Sequence, residues 1–525
     1  MPRPVPSTLA STIDQPDDWW PVRRLCALVI ATVMAIAIAV VGVTMMSAPA
    51  EADPAWTPST VPQPADLASG GFSAVQCPSA QLCVAVGSYT STAIGSPALP
   101  LASTYDGTQW ITASLPLPAD FQTGEGLVSV ACASATLCQA VGSYVTNGAG
   151  NPTRPLIETF NGAGWNLAAS PAPPNLGGTA FFDSVACVST TSCHAVGAYA
   201  DTGGLVLPLI ETFDGAVWSA VISPLPADYQ SGARLNGITC VSSGLCQAVG
   251  SYVTLGAVAR PLVVQTTDGV TWTASVTPDP ADFLGGGVFR GVACGPASSC
   301  EAVGSYQGVD NLQHSLIESY DGSAWSAVTV PPPSDFADHA FLLSVSCSSA
   351  TLCEAVGGYQ DAAALEHTLT AVSDGTTWSL APAADPSDFG NTALLSGVTC
   401  TTATWCVAVG SYQTNGAGTP PPMRGLVQIY DGTTWTLASL ADPADLGSTA
   451  QLNRVSCATP AVCQAVGFYT DTAATNRPLI ETNSPIPPRP TLAATGSDPA
   501  LPLTFALLLT AIGAATLLER RRSRR

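Results

Sequence analysis

Short apolar runs alternate with small or polar residues through most of this chain. Between Leu127 and Ser170 four such runs follow one another: "LVSVAC", "CQAVGSY", "RPLIETF" and "WNLAAS", with Gly, Asn and Pro at the breaks. A period of two in runs rich in β-branched and aromatic residues predicts half-buried β-strands. The four-run unit returns every 53 to 57 residues. Between the chain ends no stretch carries a helical period, so the body reads as all-β. The two ends differ: Leu25 to Met46 and Pro499 to Leu518 are continuous apolar stretches that predict helices.

Four strands at this period predict a β-propeller. Two further elements recur. Between the third and fourth runs stands D-G-x-x-W, as in "YDGTQW" at Tyr105 and "YDGTTW" at Tyr430, with Asn161 replacing the Asp once. Asp-Gly is a tight-turn signal. Between units stands a Pro-containing link, "PLPADF", "PDPADF" or "DPADL", read as the crossing to the next unit. Its Pro fixes the chain, and its aromatic or Leu plugs the seam. The last unit runs to Thr482 and lapses into "NSPIPPRPT" without a Trp strand. The missing strand lies at the other end: in "AWTPSTVPQPADLASGGF" Trp56 aligns with Trp272 and Asp66 with Asp282. The expectation is therefore an eight-bladed β-propeller of four-stranded blades. The N-terminal strand closes the ring against the strand around Pro478 to Thr482. An open solenoid would carry capping units instead.

The D-G-x-x-W element resembles the Asp-box, S-x-D-x-G-x-T-W, of sialidase-like propeller blades, with a shorter Asp–Gly spacing. The resemblance implies a blade and no sialidase chemistry. The C-terminus carries a second resemblance. "LAATG", Leu492 to Gly496, precedes the apolar stretch and the tail "ERRRSRR". This order resembles a sortase sorting signal of the LAxTG type, common in high-GC actinobacteria, with Ala493 where Pro is commoner. It implies that a sortase cleaves Thr495–Gly496 and joins Thr495 to peptidoglycan; a plain tail anchor is the other reading. At the N-terminus, Arg23 and Arg24 precede the apolar core, and "SAPAEADPA" follows it. This resembles an export signal cleaved after Ala50 or Ala52, or an uncleaved anchor. The arginine-rich tail stays cytoplasmic and leaves the body outside. The domains expected are 1–24 basic region, 25–52 export signal or membrane segment, 53–482 propeller, 483–491 Pro-rich stalk, 492–496 sorting motif, 499–518 transmembrane helix and 519–525 cytoplasmic tail.

Sixteen body cysteines stand in eight pairs six residues apart: Cys77/Cys83, Cys132/Cys138, Cys187/Cys193, Cys240/Cys246, Cys294/Cys300, Cys347/Cys353, Cys400/Cys406 and Cys457/Cys463. Each pair brackets the loop between the first and second runs, where the two residues face across a hairpin. A structural zinc needs about four ligands, and a redox pair takes the form C-x-x-C. Eight hairpin disulfides in an exported protein remain, each contributing ~2 kcal/mol and resistance to proteases.

Charge narrows the function. Lysine is absent, and Ala52 to Thr495 holds 31 acidic residues against 8 arginines, a net of about −23. Such a body repels nucleic acid and anionic lipid. Without lysine there is no Schiff-base chemistry and no lysine-linked pilus shaft. The arginines look too scattered to form a cluster. His194, His314, His339 and His367 are non-equivalent; a metal between His314 and His367 is a remote alternative. Asp335 and Asp338 read as turn residues. The loops after "GSY" vary most, so that face and the channel mouth are the candidate binding surface. The expectation is a monomeric, wall-anchored, non-catalytic binding or adhesion module. Its partners are a sortase, peptidoglycan and an extracellular glycan or protein, with no cofactor. The alternatives are a polysaccharide hydrolase at the channel mouth and a purely structural surface protein.

Overall fold

The computed structural model describes residues 55–484, apart from residues 276, 296–297, 350–351, 382, 417 and 419–420. Ala50, Ala52, Leu492, Ala493, Thr495, Gly496 and both apolar stretches lie outside the described residues. Within them there are strands and no helix.

The strands form antiparallel units of four in sequential order. In one unit these are Phe121–Ser134, Leu137–Thr146, Thr153–Phe160 and Trp165–Ala168. The last unit takes Leu446–Thr459, Val462–Asp471 and Asn476–Ser484 from the end of the body, and Ala55–Pro58 from its start. There Trp56 pairs with Asn483. This is the position at which Trp165 pairs with Phe160 and Trp218 with Phe213 in other units. Trp56 is fully buried.

The first strand of each unit packs on the first strand of the next, and Leu446–Thr459 packs on Leu67–Ser79. The last junction reuses the bonds of the internal ones. Asn236 Nδ2 donates to Phe289 O at 2.7 Å, and Asn453 Nδ2 donates to Phe72 O at 2.7 Å across 381 residues. Likewise Cys400 N donates to Ser346 Oγ, and Cys77 N to Ser456 Oγ, both at 3.0 Å. The apolar core sits in these seams. Val84 and Val86 pack with Leu127, Ala140 and Leu156 of the following unit. Val466 and Ile480 pack with Phe72 and Ala85 in the same way.

All eight disulfides are formed: Cys77–Cys83, Cys132–Cys138, Cys187–Cys193, Cys240–Cys246, Cys294–Cys300, Cys347–Cys353, Cys400–Cys406 and Cys457–Cys463, with Cα atoms 3.9 to 4.1 Å apart. The pairing is as expected, and each pair brackets the turn between the first and second strands, with Cys132 opposite Cys138 and Ser134 opposite Leu137. Cys83, Cys138, Cys193, Cys246, Cys300, Cys353, Cys406 and Cys463 are buried strand residues, each in the apolar core of a different seam. The reason is the second strand. It begins at or just before this cysteine and is covered on both faces from there on, as in Leu82–Ser91, so the sulfur packs with the valines and alanines that follow. The first cysteine lies nearer the edge, and Cys187, Cys240, Cys294, Cys347, Cys400 and Cys457 are half-buried. Each bridge closes its hairpin turn and anchors it in the core through the second cysteine.

Beside each cysteine loop lies the D-G-x-x-W turn of the same unit, with Gly432 against Thr404. Its Asp holds the turn: Asp321 Oδ1 accepts from the amides of Ser323 at 2.8 Å and Ala324 at 2.9 Å. The next residue, Gly322, has φ +95°, a conformation that suits glycine. At the opposite edge the crossing makes a tight turn from Phe121 N to Pro118 O, 3.0 Å. Asp120 then ties the "GSY" loop: it accepts from Tyr144 Oη at 3.1 Å, and its carbonyl accepts from Asn147 N at 2.9 Å. Phe121 stacks on Tyr144 and packs into the seam.

Candidate functional site

Among the breaks in the first ladder of each unit, one recurs at the same register in all eight. The ladder steps from Phe182–Gly197 to Ser184–Val196 and skips Asp183. The same bulge skips Ser73, Val128, Asn236, Arg290, Leu343, Ser396 and Asn453, always four residues before the first cysteine of the pair. The glycine of "AVG" opposite permits it. A Cβ on Gly197 would lie 2.0 Å from Phe181 O, on Gly410 1.8 Å from Leu394 O, and on Gly87 2.1 Å from Gly71 O. Only glycine admits so close a backbone. The unpaired residue kinks the strand and re-aims its side chain.

The eight skipped residues, one from each unit, line a single cavity of about 490 Å³, joined by Arg234 and Arg454. This volume suits a small ligand. The cavity is cut into the middle of the first strands, and no residue of the varied loops lines it. The expected binding surface is the face of varied loops together with the channel mouth; this cavity is a further candidate, set apart from those loops. The arginines are not scattered: Arg234, Arg290 and Arg454 converge here.

Arg234 grips Asp183 with two nitrogens, Nε to Oδ2 at 2.7 Å and Nη2 to Oδ1. Burial raises the Asp183 carboxyl pKa against the pull of Arg234. Arg454 Nη1 donates to Ser396 O at 2.7 Å and to Asn453 O at 2.9 Å. Arg290 is exposed and has no ion pair or side-chain hydrogen bond among the described residues. Asn236 and Asn453 are fixed by the carbonyl bonds above, while Val128 and Leu343 add apolar wall. The signal was present in the sequence. In "FSAV", "FDSV", "LNGI", "FRGV" and "LNRV" the second position changes chemistry within an otherwise apolar or small strand.

The histidines have local partners. His314 lies 3.0 Å from Asp310, and His367 lies 2.7 Å from Asp385 and 3.2 Å from Asp361. His339 lies 3.2 Å from Asp338. His194 packs edge-on to Trp272, and burial pushes its pKa down to about 4. Among the described residues the one metal-like group is His194, Cys240 and Cys246. Its cysteines are bonded to each other, so they offer no thiolates.

A second set of polar groups lies in the body of the units. Burial pushes the carboxyl pKa of Glu158, Glu211, Glu318 and Glu354 up to about 8, of Glu301 to about 7 and of Glu481 to about 9. Glu301 accepts from Ser319 Oγ at 2.5 Å and from Trp378 Nε1 of the next unit at 3.2 Å. Glu211 accepts from Ser170 Oγ at 2.7 Å. These groups sit between strands and units, away from the cavity lining.

No protein-family model matches the chain, and no curated protein matches it in sequence. Two solved structures are similar in part. The BP39L lectin from Burkholderia pseudomallei has 14% identity and a TM-score of 0.42, over 70% of this chain and 99% of that one. A protein of unknown function from Dyadobacter fermentans DSM 18053 has 10% identity and a TM-score of 0.35, over 67% and 93%.

The buried glutamates set a pH dependence. Their folded pKa values lie above the ordinary 4.5, so the fold retains protons that the unfolded chain releases. That stability is fully present below pH 4.5 and is lost as pH rises through 7 to 9. The turn aspartates oppose it only in acid: backbone amides hold Asp268 down to about 2, and this contribution is lost as pH falls through about 4 to 2. The unfolding midpoint is expected to peak near pH 4.5 and to fall steadily toward pH 9, with Glu158→Gln flattening the alkaline limb. A midpoint that rises between pH 5 and 8 would contradict the assignment.

Proposed function

We propose that the eight units close into an eight-bladed β-propeller, held outside the cell, that acts as a non-catalytic binding module. The ligand, an extracellular glycan or protein group, enters the cavity. The observation that carries this reading is the convergence of one bulge residue from every unit on a single space. The pairing of Ala55–Pro58 with the last unit and the repeated junction bonds support closure. The polysaccharide-hydrolase alternative needs two carboxylates flanking the bond to be cut. The cavity lining has one, Asp183, which Arg234 holds. A purely structural protein gives no reason for a bulge position whose chemistry changes from unit to unit.

Export and anchoring rest on the terminal patterns. The eight disulfides accord with an oxidising compartment, the sorting motif supplies the anchor, and a sortase and peptidoglycan are the partners it implies.

Binding is tested with glycan and protein arrays probed by the full chain and by Ser396→Trp, which fills the cavity. Loss of every captured ligand in the variant, with unchanged melting, is expected. A ligand captured equally by both proteins would overturn the cavity as the site. For the anchor, muralytic digests of the cell wall should release protein ending at Thr495 with a peptidoglycan fragment attached. Intact "ERRRSRR" tails in the detergent-soluble membrane would refute the wall anchor.

A further inference from the structure

The charge of the cavity is opposite to that of the protein around it. The body carries 31 acidic residues and 8 arginines, yet the cavity lining holds three arginines and one carboxylate. That carboxylate, Asp183, is occupied on both oxygens by Arg234. Elsewhere three arginines pair with carboxylates, while Arg154 donates Nη1 to the carbonyls of Thr153 and Gly178. Arg260 meets Asp279 at 2.6 Å, Arg424 meets Asp442 at 3.2 Å, and Arg477 meets Asp471 at 2.9 Å. Arg290 and Arg454 have no such partner among the described residues. Arg454 uses Nη1 on two carbonyls, which leaves Nη2 and Nε as forked donors. A guanidinium fork matches the oxygens of carboxylate, sulfate and phosphate.

Resting on the cavity as the binding site, we infer that it takes a small hydrophilic ligand through an oxyanion group, carboxylate, sulfate or phosphate, held by Arg290 and Arg454. Two features set the size and character of that ligand. The space of about 490 Å³ admits one or two sugar-sized units. The strongly acidic exterior repels a long polyanion before it reaches the opening, so a compact or terminal anion is selected. Ser73 and Ser396 provide hydroxyl contacts for the rest of the molecule. Among the described residues the cavity lining is polar and aliphatic, so the contacts inferred are charged and hydrogen-bonding ones.

The test is calorimetric titration of the full chain with sodium sulfate, sodium glucuronate, glucose 6-phosphate and glucose. At least one anion is expected to saturate the protein, more weakly at higher salt, while glucose does not bind. The arm that binds tells the oxyanion from its carrier: sulfate for the bare group, glucuronate or the sugar phosphate for an acidic sugar. Arg290→Ser and Arg454→Ser should each weaken binding tenfold or more, the range expected for a lost charge-assisted hydrogen bond. Arg260→Ser, outside the cavity, should leave it unchanged, and equal melting midpoints exclude misfolding. Failure of every anion, or binding indifferent to Arg290→Ser and Arg454→Ser, overturns the inference. If a neutral array ligand is then lost in Ser396→Trp, only the anionic class fails. If that ligand survives Ser396→Trp, the cavity reading fails as well.

Discussion

One steric contact organises this protein: the close approach of each "AVG" glycine to the backbone carbonyl of the strand beside it. At 1.8 to 2.1 Å from the place a Cβ would take, the carbonyl leaves room for hydrogen alone. Beside this contact the first strand carries an extra residue that leaves the ladder. The apolar residues on either side of it go into the seams. The extra one is spared from packing, so its identity is free to change from unit to unit. Within one chain the position holds Ser, Val, Asp, Asn, Arg, Leu, Ser and Asn, while the flanking core keeps one pattern. Core packing and the cavity lining thus fall to different residues of a single strand.

The remaining repeated motifs hold this arrangement from both edges. On one edge a disulfide ties the first strand to the second, beside an Asp-capped turn. On the other, the crossing Asp bonds the "GSY" tyrosine of the unit it leads into. Neither edge places reactive chemistry at the cavity. The polar groups that do lie inside, the buried glutamates, have their pKa values raised because desolvation outweighs their few hydrogen bonds. They make the body sensitive to alkali rather than to acid. The tied carboxylate at Asp183 and the unpaired guanidiniums of Arg290 and Arg454 are a different case. They remain in contact with solvent, where charge can be kept and offered to a ligand.

Much of the architecture was legible in the sequence. Period-two runs, cysteine pairs, Asp-Gly turns and the displaced Trp56 strand all follow from local rules, and strands and disulfides stand where those rules put them. What the cysteine spacing did not reveal is depth. Six residues fix which sulfurs meet, while the burial of Cys83 or Cys406 depends on the neighbouring unit that covers it. The site was not legible in the same way. An arginine at position 234, another at 290 and a third at 454 look unrelated along the chain. Only the repeat register, counted back from each cysteine, puts two of the three at or beside the bulge. The loops drew attention because they vary in length, but length variation reflects tolerance at an exposed edge. The bulge varies in chemistry at constant length, a variation that stands out only once the units are aligned on their cysteines. The terminal segments, where the export and sorting patterns lie, were read from sequence alone.

The central claim is that the chain ends meet to complete a ring on which the cavity depends. Hydrogen–deuterium exchange on the intact chain tests it most directly. Trp56 N donates to Ser439 O at 2.9 Å, Ser59 N to Ile480 O at 2.8 Å and Ala441 N to Trp56 O at 3.0 Å. In a closed ring these amides are part of the cooperative structure and exchange as slowly as strand amides of the internal units. Exchange of Trp56, Ser59 and Ala441 within the time of an unprotected loop, while the internal units stay protected, would show that the ring is open and would contradict the account.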